Sequence, residues 1–247
     1  MDLNEISEEE VIIPSKFIQD ELNPSIWIKR GKDYIIKPEV RAKLLEIAKE
    51  FYEYLEVETP YEDIYFIGSM ASYNWTSQSD IDLHLLFDYK KINKNTSLVQ
   101  KYFDAKKSYW NDNHNIKIFG IDVELSCQEQ GAPFYSKAVF SIKNNKWLNI
   151  PDKDKFSIDK QALRNKIVTI VNQVEKVEKI KDNEELLEKS RKVKDKIKKM
   201  RKSGLEKGGE FSIENLTFKY LRNNGYIGKV MKIKRDAMDK KLSLENE

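Results

Sequence analysis

The sequence predicts an α/β fold (α+β in type): a mixed sheet with flanking helices, followed by a C-terminal helical bundle. Apolar runs of strand length alternate with helical patterns up to about residue 155. After "PDKDKFSID" every remaining pattern is helical. We therefore divide the chain into an N-terminal lead-in at 1–37, a sheet domain at 38–155 and a basic helical domain at 156–247.

The lead-in is polar with scattered apolar anchors, such as Phe17, Ile26 and Trp27, and we expect it to be loosely packed, with a short helix or strand near "SIWIKRGKDYII". A helix follows at "KPEVRAKLLEIAKEFYEYLEV". It is predicted because Pro38 suits a first helical turn and apolar residues then recur at helical spacing.

Three strands and a hairpin are predicted for the sheet. "EDIYFIGS" is a short apolar run that ends in Gly68 and is typical of a buried strand. "SDIDLHLLFDY" alternates, so its apolar and polar residues lie on opposite faces. "NIKIFGIDVELSCQ" is a strand bent or interrupted at Gly120, and "AVFSIKNNKWLNI" is a hairpin that turns at Asn144 and Asn145.

Helical patterns account for the remaining segments. "TSLVQKYFDAKKSYW" predicts a helix with an apolar stripe of Leu98, Tyr102, Ala105 and Tyr109. The C-terminal part predicts roughly four helices. The first has one apolar side, and the second begins with a capping box of Asp182 and Glu185 and ends at Gly204. The apolar side of the first is formed by Leu163, Ile167, Ile170, Val171 and Val174.

Composition limits the class of protein. The chain has 247 residues, 40% of them hydrophobic, and no run of 18 or more apolar residues, so we expect a sizeable core and no membrane span. The acidic start lacks a signal-peptide pattern, and Cys127 is the single cysteine, so we expect a cytoplasmic protein. Eight of the twelve residues from Arg191 to Lys202 are basic, which suits an anionic partner such as RNA, or a solvated helix face.

Two aspartates in the alternating strand are candidate metal ligands. Asp80 and Asp82 project side by side from one face. Carboxylates this close repel unless a proton or cation lies between them, and Mg²⁺ prefers oxygen ligands. The next strand offers Asp122 and Glu124 on one face, and a third carboxylate would allow two ions to hold the attacking and leaving oxygens of a phosphoryl transfer. By itself, the aspartate pair also fits a solvated strand edge or a structural ion pair.

The turn before these aspartates suits phosphate binding. Gly68 and Ser69 are small residues that allow the backbone to approach a ligand. The segment "SMASYNW" is predicted to begin a helix, whose free N–H groups and a serine hydroxyl would donate hydrogen bonds to phosphate oxygens.

The stretch "GSMASYNWTSQSDIDLHL" resembles the signature of the DNA polymerase β-like nucleotidyltransferase superfamily, over roughly residues 40 to 130. The resemblance implies that Gly68 and Ser69 hold the triphosphate of an NTP, with ATP as the expected donor. It also implies that Asp80 and Asp82 bind two Mg²⁺ ions. A third acid on a neighbouring strand completes the family's site.

The resemblance leaves alternatives for the third acid and for the function. Glu124 fits the apolar–acid–apolar pattern best, and Asp122 remains the alternative. The expected reaction transfers a nucleoside monophosphate to an acceptor hydroxyl, with an RNA end as the first candidate. The other interpretations are an antitoxin-like or regulatory enzyme that modifies a protein or small molecule, and an inactive module that binds nucleotide or RNA.

Other residues near the motif have two interpretations each. Tyr73 and Trp75 suit either stacking on a nucleobase or packing under the turn. Ser79 is a candidate nucleotide contact or a turn residue, and His84 is a candidate phosphate contact or a structural histidine. Cys127 is expected to be buried and not a nucleophile. Analogy with the superfamily adds basic residues near the C-terminus as candidate triphosphate contacts, namely Lys219, Arg222 and Lys229.

Overall fold

A six-stranded mixed sheet and a two-stranded hairpin form one part of the protein, and a bundle of helices forms the other. The computed structural model describes residue 11 and residues 18–133, 136, 138–152 and 158–244. The chain divides into two compact units, one of Lys16–Asp154 and one that takes in Lys155–Glu247. The predicted mixed α/β fold with a C-terminal helical region is therefore confirmed.

The elements of the sheet unit are β1 (Trp27–Arg30), β2 (Asp33–Ile36), α1 (Pro38–Leu55), β3 (Asp63–Ile67), β4 (Ile81–Phe87), α2 (Tyr89–Ile92), α3 (Thr96–Asn113), β5 (Lys117–Ile118), β6 (Ile121–Glu129), β7 (Val139–Ser141) and β8 (Lys146–Asn149). The described part of the helical unit contains α4 (Lys160–Glu178), α5 (Asn183–Gly208), α6 (Ile213–Asn223) and α7 (Tyr226–Leu242).

The strand order of the large sheet is β5-β6-β4-β3-β7-β8. β4 and β6 are parallel, whereas each other neighbouring pair is antiparallel. Helices α2 and α3 form the connection between β4 and β6. Because these two strands are parallel, both begin at the same edge of the sheet. The polar residues near their starts are therefore brought together.

The two faces of β4 differ as the alternation predicts. Ile81, Leu83 and Leu85 are fully buried against the core, to which α1 and α3 contribute their apolar sides. Asp82 and His84 lie on the opposite face and are half-buried. Burial of the apolar face fixes the register of the strand, because a slip by one residue would exchange the two faces.

The stripe predicted for α3 is wrong by one position. Its large side chains Leu98, Tyr102 and Tyr109 are 55%, 37% and 62% exposed. The hydroxyl group of Tyr102 explains part of this result, since at the surface it donates a hydrogen bond to the carbonyl oxygen of Leu55 at 2.7 Å. The side of α3 that faces the core instead buries Val99, Phe103 and Trp110.

The expected loose packing of the lead-in is also wrong where the structure describes it. β1 and β2 form a hairpin, and Ile26 and Trp27 are almost fully buried. The Trp27 ring stacks on Phe66 of β3 at 5.5 Å, and its Nε1 donates to the carbonyl oxygen of Met70 at 2.8 Å. The buried area of these anchors outweighs the polar composition around them. Phe17 lies outside the described residues.

Two tight turns follow the sequence prediction. Gly120 interrupts the third predicted strand, and the interruption is a two-residue turn of Phe119 and Gly120, at φ 51° and 82°, between antiparallel β5 and β6. β7 and β8 form the predicted hairpin, with Asn145 at φ 52° in its turn.

β5 is only two residues long, so most of the outer edge of β6 has no strand partner among the described residues. Asn111 of α3 occupies part of this edge. Its side-chain amide donates to the carbonyl oxygen of Leu125 at 2.9 Å and accepts from the N–H of Leu125 at 3.1 Å. One side chain thus provides both hydrogen bonds that a neighbouring strand would provide at this residue.

The helical unit agrees with the predicted apolar side of α4, whose five named residues are all buried. Asp182 caps the N-terminus of α5, as one half of the predicted capping box requires, because it accepts from the N–H of Glu185 at 2.8 Å. The predicted end of α5 at Gly204 is wrong, because the helix continues to Gly208. A Cβ at Gly204 would lie 2.4 Å from the Cβ of Glu214 in α6, so this glycine permits a close approach of two helices.

The apolar segments that a bilayer crossing requires are missing from the described helices, none of which is both long and apolar enough.

Candidate metal centre

Three carboxylates converge at the edge of the sheet where β4 and β6 begin. Asp80 lies one residue before β4, Asp82 lies within β4, and Glu124 lies within β6. One carboxylate oxygen from each lies within 4.8 Å of the others. Asp80 and Asp82 are half-buried and Glu124 is exposed, so the cluster is open to solvent on the β6 side.

The strand register explains this convergence. Asp82 lies directly opposite Glu124 in the parallel β4–β6 pair, and neighbouring strands are about 4.8 Å apart. Both side chains point to the face that α1 and α3 do not cover. Asp80 joins them because it is two residues before Asp82 and shares its side of the chain.

The two candidates for the third acid lie in different surroundings. Asp122 shares the face of Glu124 but forms an ion pair with Lys117, its partner on β5. The group of three acids that could hold an ion contains Glu124 and not Asp122. A two-residue strand and a tight turn therefore give the preferred candidate, Glu124, and the alternative, Asp122, different surroundings.

The carboxylate oxygens of the cluster are the kind of ligand atom that Mg²⁺ prefers. All three side chains offer oxygen ligands, which hard divalent ions prefer over nitrogen or sulfur. Neighbouring ligands of an octahedral ion with bonds of about 2.1 Å are about 3.0 Å apart and opposite ligands about 4.2 Å apart, so side-chain rotations would bring the three oxygens, which lie within 4.8 Å of one another, into coordinating positions. A cation would also remove the repulsion between the carboxylates.

Gly68 lies directly against this cluster. Its φ is +80°, and a Cβ built on it would lie 2.0 Å from Oδ2 of Asp82. Any side chain would therefore both strain the backbone and displace the carboxylate. The sequence analysis explained Gly68 as a small residue that allows a ligand to approach. The close contact with Asp82 is a second reason why this position requires glycine.

Serine hydroxyl groups connect the turn at Gly68 and Ser69, which we call the Gly68 corner, to the loop that precedes β4. Ser69 donates from Oγ to Oγ of Ser79 at 2.9 Å, and the N–H of Thr76 donates to the same oxygen at 2.9 Å. The N–H of Ser79 in turn donates to the carbonyl oxygen of Thr76 at 3.1 Å. Ser79 therefore closes the loop between β3 and Asp80, which fits the turn interpretation of this residue, whereas its predicted nucleotide contact stays a prediction.

The segment after Gly68 is shorter than the predicted helix. It is a single 3₁₀ turn of Ser69–Ala71, so its helix dipole is small. The N–H of Gly68 donates to Oγ of Ser136 at 3.3 Å, and Ser136 donates to the carbonyl oxygen of Ala138 at 2.9 Å. Sequence reasoning missed Ser136, because no local pattern connects it with a corner 68 residues earlier.

Tyr73 and Trp75 pack against the N-terminal segment. The Tyr73 ring meets Tyr34 edge-on at 6.3 Å, and its carbonyl oxygen accepts from the N–H of Gln19 at 2.7 Å. Nε1 of Trp75 donates to the carbonyl oxygen of Glu21 at 2.9 Å. These contacts fit the packing interpretation of both aromatic residues.

His84 lies two residues after Asp82 in β4, so both side chains are on the same face of the strand. Its Nδ1 is 2.8 Å from Oε1 of Gln128, and because an amide oxygen only accepts, Nδ1 carries the proton. Burial lowers the pKa of His84, although the bond to Gln128 opposes this effect. The contacts fit the structural interpretation of this histidine.

The remaining candidates lie away from the cluster or in the other unit. Cys127 is buried, and burial raises the pKa of its thiol, as expected for a cysteine that is not a nucleophile. Lys229 in α7 pairs with Glu175 at 3.0 Å and Glu178 at 2.6 Å. Lys219 and Arg222 lie in α6.

Comparison of the chain with protein-family models, with curated proteins and with solved structures finds no match. The resemblance to the nucleotidyltransferase superfamily therefore stays a prediction from the motif residues.

Proposed function

We propose that this protein is a Mg²⁺-dependent nucleotidyltransferase that moves a nucleoside monophosphate from an NTP, preferentially ATP, to an acceptor hydroxyl. The observation that carries the proposal is the convergence of Asp80, Asp82 and Glu124 beside the Gly68 corner. Acidic clusters occur without metals, so the support comes from the combination: oxygen ligands on adjacent parallel strands, next to a small-residue turn that a phosphate chain can approach.

In the proposed reaction, the acceptor oxygen forms a bond to the α-phosphorus while the bond from that phosphorus to the bridging oxygen breaks. Pyrophosphate leaves, and the hydroxyl proton passes to Glu124 or to water. When bound, Mg²⁺ would neutralise charge on the phosphate oxygens. Asp80 and Asp82 would hold two ions, with Glu124 as a further ligand or as the base. Ser69 and the backbone at Gly68 would orient the triphosphate by exchanging their hydrogen bonds to Ser79 and Ser136 for bonds to phosphate oxygens, so positioning supplies much of the rate.

An RNA end is the acceptor that we propose first. α5 carries the basic block, and within it Lys192 and Lys202 pair with glutamates of the same helix. Lys198 and Lys199 are exposed and pair with no described acidic residue. Such lysines suit the phosphate backbone of a nucleic acid.

The test is incorporation of label from each α-³²P NTP, with Mg²⁺ and total RNA or cell lysate as the source of acceptor. We expect Asp82→Asn and Glu124→Gln to lower incorporation by roughly 10³-fold or more, because each removes a ligand used in the transition state. Asp122→Asn is the matched control, since it removes a carboxylate from the same face of β6. It should stay within about two-fold of the unsubstituted protein.

The labelled species discriminates between the alternatives. Label in RNA supports the proposal, whereas label in a protein or small molecule supports the regulatory interpretation. An unlabelled mixture, with nucleotide binding intact, contradicts the enzyme proposal and leaves the inactive binding module. Loss of activity in Asp122→Asn but not in Glu124→Gln would show that the third carboxylate is Asp122.

Metal binding can be measured without any acceptor. Mn²⁺ titrated by calorimetry should bind the unsubstituted protein, and at 100 times its Kd it should raise the free energy of unfolding of the sheet unit by about 2.7 kcal/mol. Asp82→Asn should lose this stabilisation and Asp122→Asn should keep it. Equal Mn²⁺ stabilisation in both variants would contradict the metal site.

A further inference from the structure

A cleft of about 480 Å³ lies in the sheet unit, between α1 and the hairpins β1–β2 and β7–β8. Its volume is in the range of small-molecule sites. Arg30, Arg41 and Lys146 line it, and none of the described residues that line it is acidic. It shares no residue with the carboxylate cluster. The lining therefore favours an anion.

One of these cations is held in place by the fold. Nε of Arg41 donates to the carbonyl oxygen of Ile142 at 2.8 Å, and Nη2 donates to that of Lys143 at 2.9 Å. A guanidinium has five N–H donors, so these two bonds leave three for a ligand. Because Arg41 is already ordered, it would lose little side-chain entropy on binding an anion.

The other two cations are free to move toward a ligand. Arg30 ends β1 and Lys146 begins β8, and both are exposed. Neither forms an ion pair with a described residue. They therefore line the cleft from opposite hairpins, β1–β2 and β7–β8, as exposed cations.

The wall of the cleft is aromatic and rigid. Nε1 of Trp147 donates to the carbonyl oxygen of Tyr34 at 2.7 Å, and the Trp147 ring stacks on Trp27 at 4.6 Å. Tyr34 is buried, and Leu45 adds an aliphatic surface from α1. Fixed aromatic rings beside cations are the surfaces on which nucleobases stack while their phosphates are neutralised.

We infer that this cleft is a binding site for a nucleoside phosphate, either a free nucleotide or the phosphorylated end of an RNA strand. Arg41 and the two exposed cations bind the phosphate, and the aromatic wall receives the base. This inference does not depend on the proposed catalytic function, because the cleft needs no metal and uses none of the acids.

The experiment measures binding of the full-length protein in EDTA, with fluorescent N-methylanthraniloyl nucleotides and with a fluorescein-labelled, 5′-phosphorylated RNA hexamer as probes. The Arg30→Gln, Lys146→Gln double variant should bind at least one probe about ten-fold to 100-fold more weakly, because it loses two charge-assisted hydrogen bonds. Lys32→Gln is the matched control: Lys32 is exposed, lies in the turn after Arg30 and does not line the cleft. It should leave the affinity unchanged, and circular dichroism should show that all variants are folded.

Binding of nucleotides alone identifies a free nucleotide as the ligand, and binding of RNA alone identifies a strand end; both support the inference. Absence of binding in EDTA overturns it, as does equal affinity in the double variant and Lys32→Gln. If inorganic phosphate or pyrophosphate displaces the probe as well as a nucleotide does, the base plays no part and the inference fails. Asp82→Asn should keep this binding, which separates the result from failure of the catalytic proposal.

Discussion

The sheet unit and the helical bundle both contain exposed ion pairs, but among the described residues only the sheet unit also gathers three acids at one place. In the bundle, acidic side chains lie beside lysines of neighbouring helices or turns, as in the pairs of Glu214 with Lys166 and of Glu184 with Lys241. In the sheet unit, strand pairing brings three acids within 4.8 Å of one another. Partly exposed ion pairs form readily and contribute little, whereas gathering like charges costs free energy. The arrangement of charges, and not their number, therefore marks the three acids as the candidate metal site.

The largest stability effect should come from breaking the corner that supports the acids. Gly68→Ala should lower the free energy of unfolding of the sheet unit by about 2–3 kcal/mol, because alanine is strained at φ +80° and its Cβ meets Asp82. Displacement of that carboxylate should also weaken Mn²⁺ binding about ten-fold or more. Urea unfolding and calorimetry measure the two effects.

Gly120→Ala is the control for backbone strain. Gly120 has nearly the same φ, +82°, with nothing within 4 Å of its would-be Cβ. We expect a loss of about 1–2 kcal/mol and unchanged Mn²⁺ binding. Equal Mn²⁺ affinity in both variants would contradict the role of Gly68 in placing Asp82.

A smaller effect is expected where glycine serves packing alone. Gly204→Ala should destabilise the bundle by about 1–2 kcal/mol, because the new Cβ would collide with the Cβ of Glu214, and this cost exceeds the gain in helix propensity. Gly228→Ala in α7 has open space and should stabilise it by about 0.5–1 kcal/mol. Thermal unfolding distinguishes the signs. If both variants are stabilised, α5 and α6 do not cross as closely as described.

The smallest effect should come from the paired charges of the bundle. Lys192 and Glu188 form an ion pair whose side chains are 66% and 60% exposed. Lys192→Ala should change the free energy of unfolding by less than about 0.5 kcal/mol, with little dependence on salt. A loss above 1 kcal/mol in urea unfolding would mean that the bundle's pairs are structural, which would weaken the contrast with the sheet unit.

Local patterns were sufficient for much of the fold. The alternation around Asp82 predicted the strand, its buried face and the shared face of the acids. The capping residue Asp182 and the turns at Gly120 and Asn145 were also visible, because each depends on a few neighbouring residues. The motif thus predicted which side chains would meet before any pairing of strands was known.

The errors arose where distant contacts decide the outcome. The sequence of α3 contains two apolar stripes, the predicted one and the buried one, which are one position apart. Which of them is buried depends on the side of the helix that faces the core. Glycine often follows the last residue of a helix, which is why Gly204 was predicted to end α5. In the structure α6 packs against Gly204 and α5 continues to Gly208. The third acid was not an error: Glu124 was preferred and Asp122 stayed open, because the pairing of Asp122 with Lys117 requires a strand of only two residues. Local propensity contains none of these tertiary preferences.

The amide of Asn111 has a consequence for association between copies of the protein. Exposed backbone groups at the side of a sheet invite another chain to add a strand, which is a common route to aggregation. By saturating Leu125 with a side chain, α3 discourages such addition next to Glu124. The face of β6 that carries Glu124 can thus remain exposed to solvent while the edge of the strand at Leu125 is protected from pairing with another polypeptide.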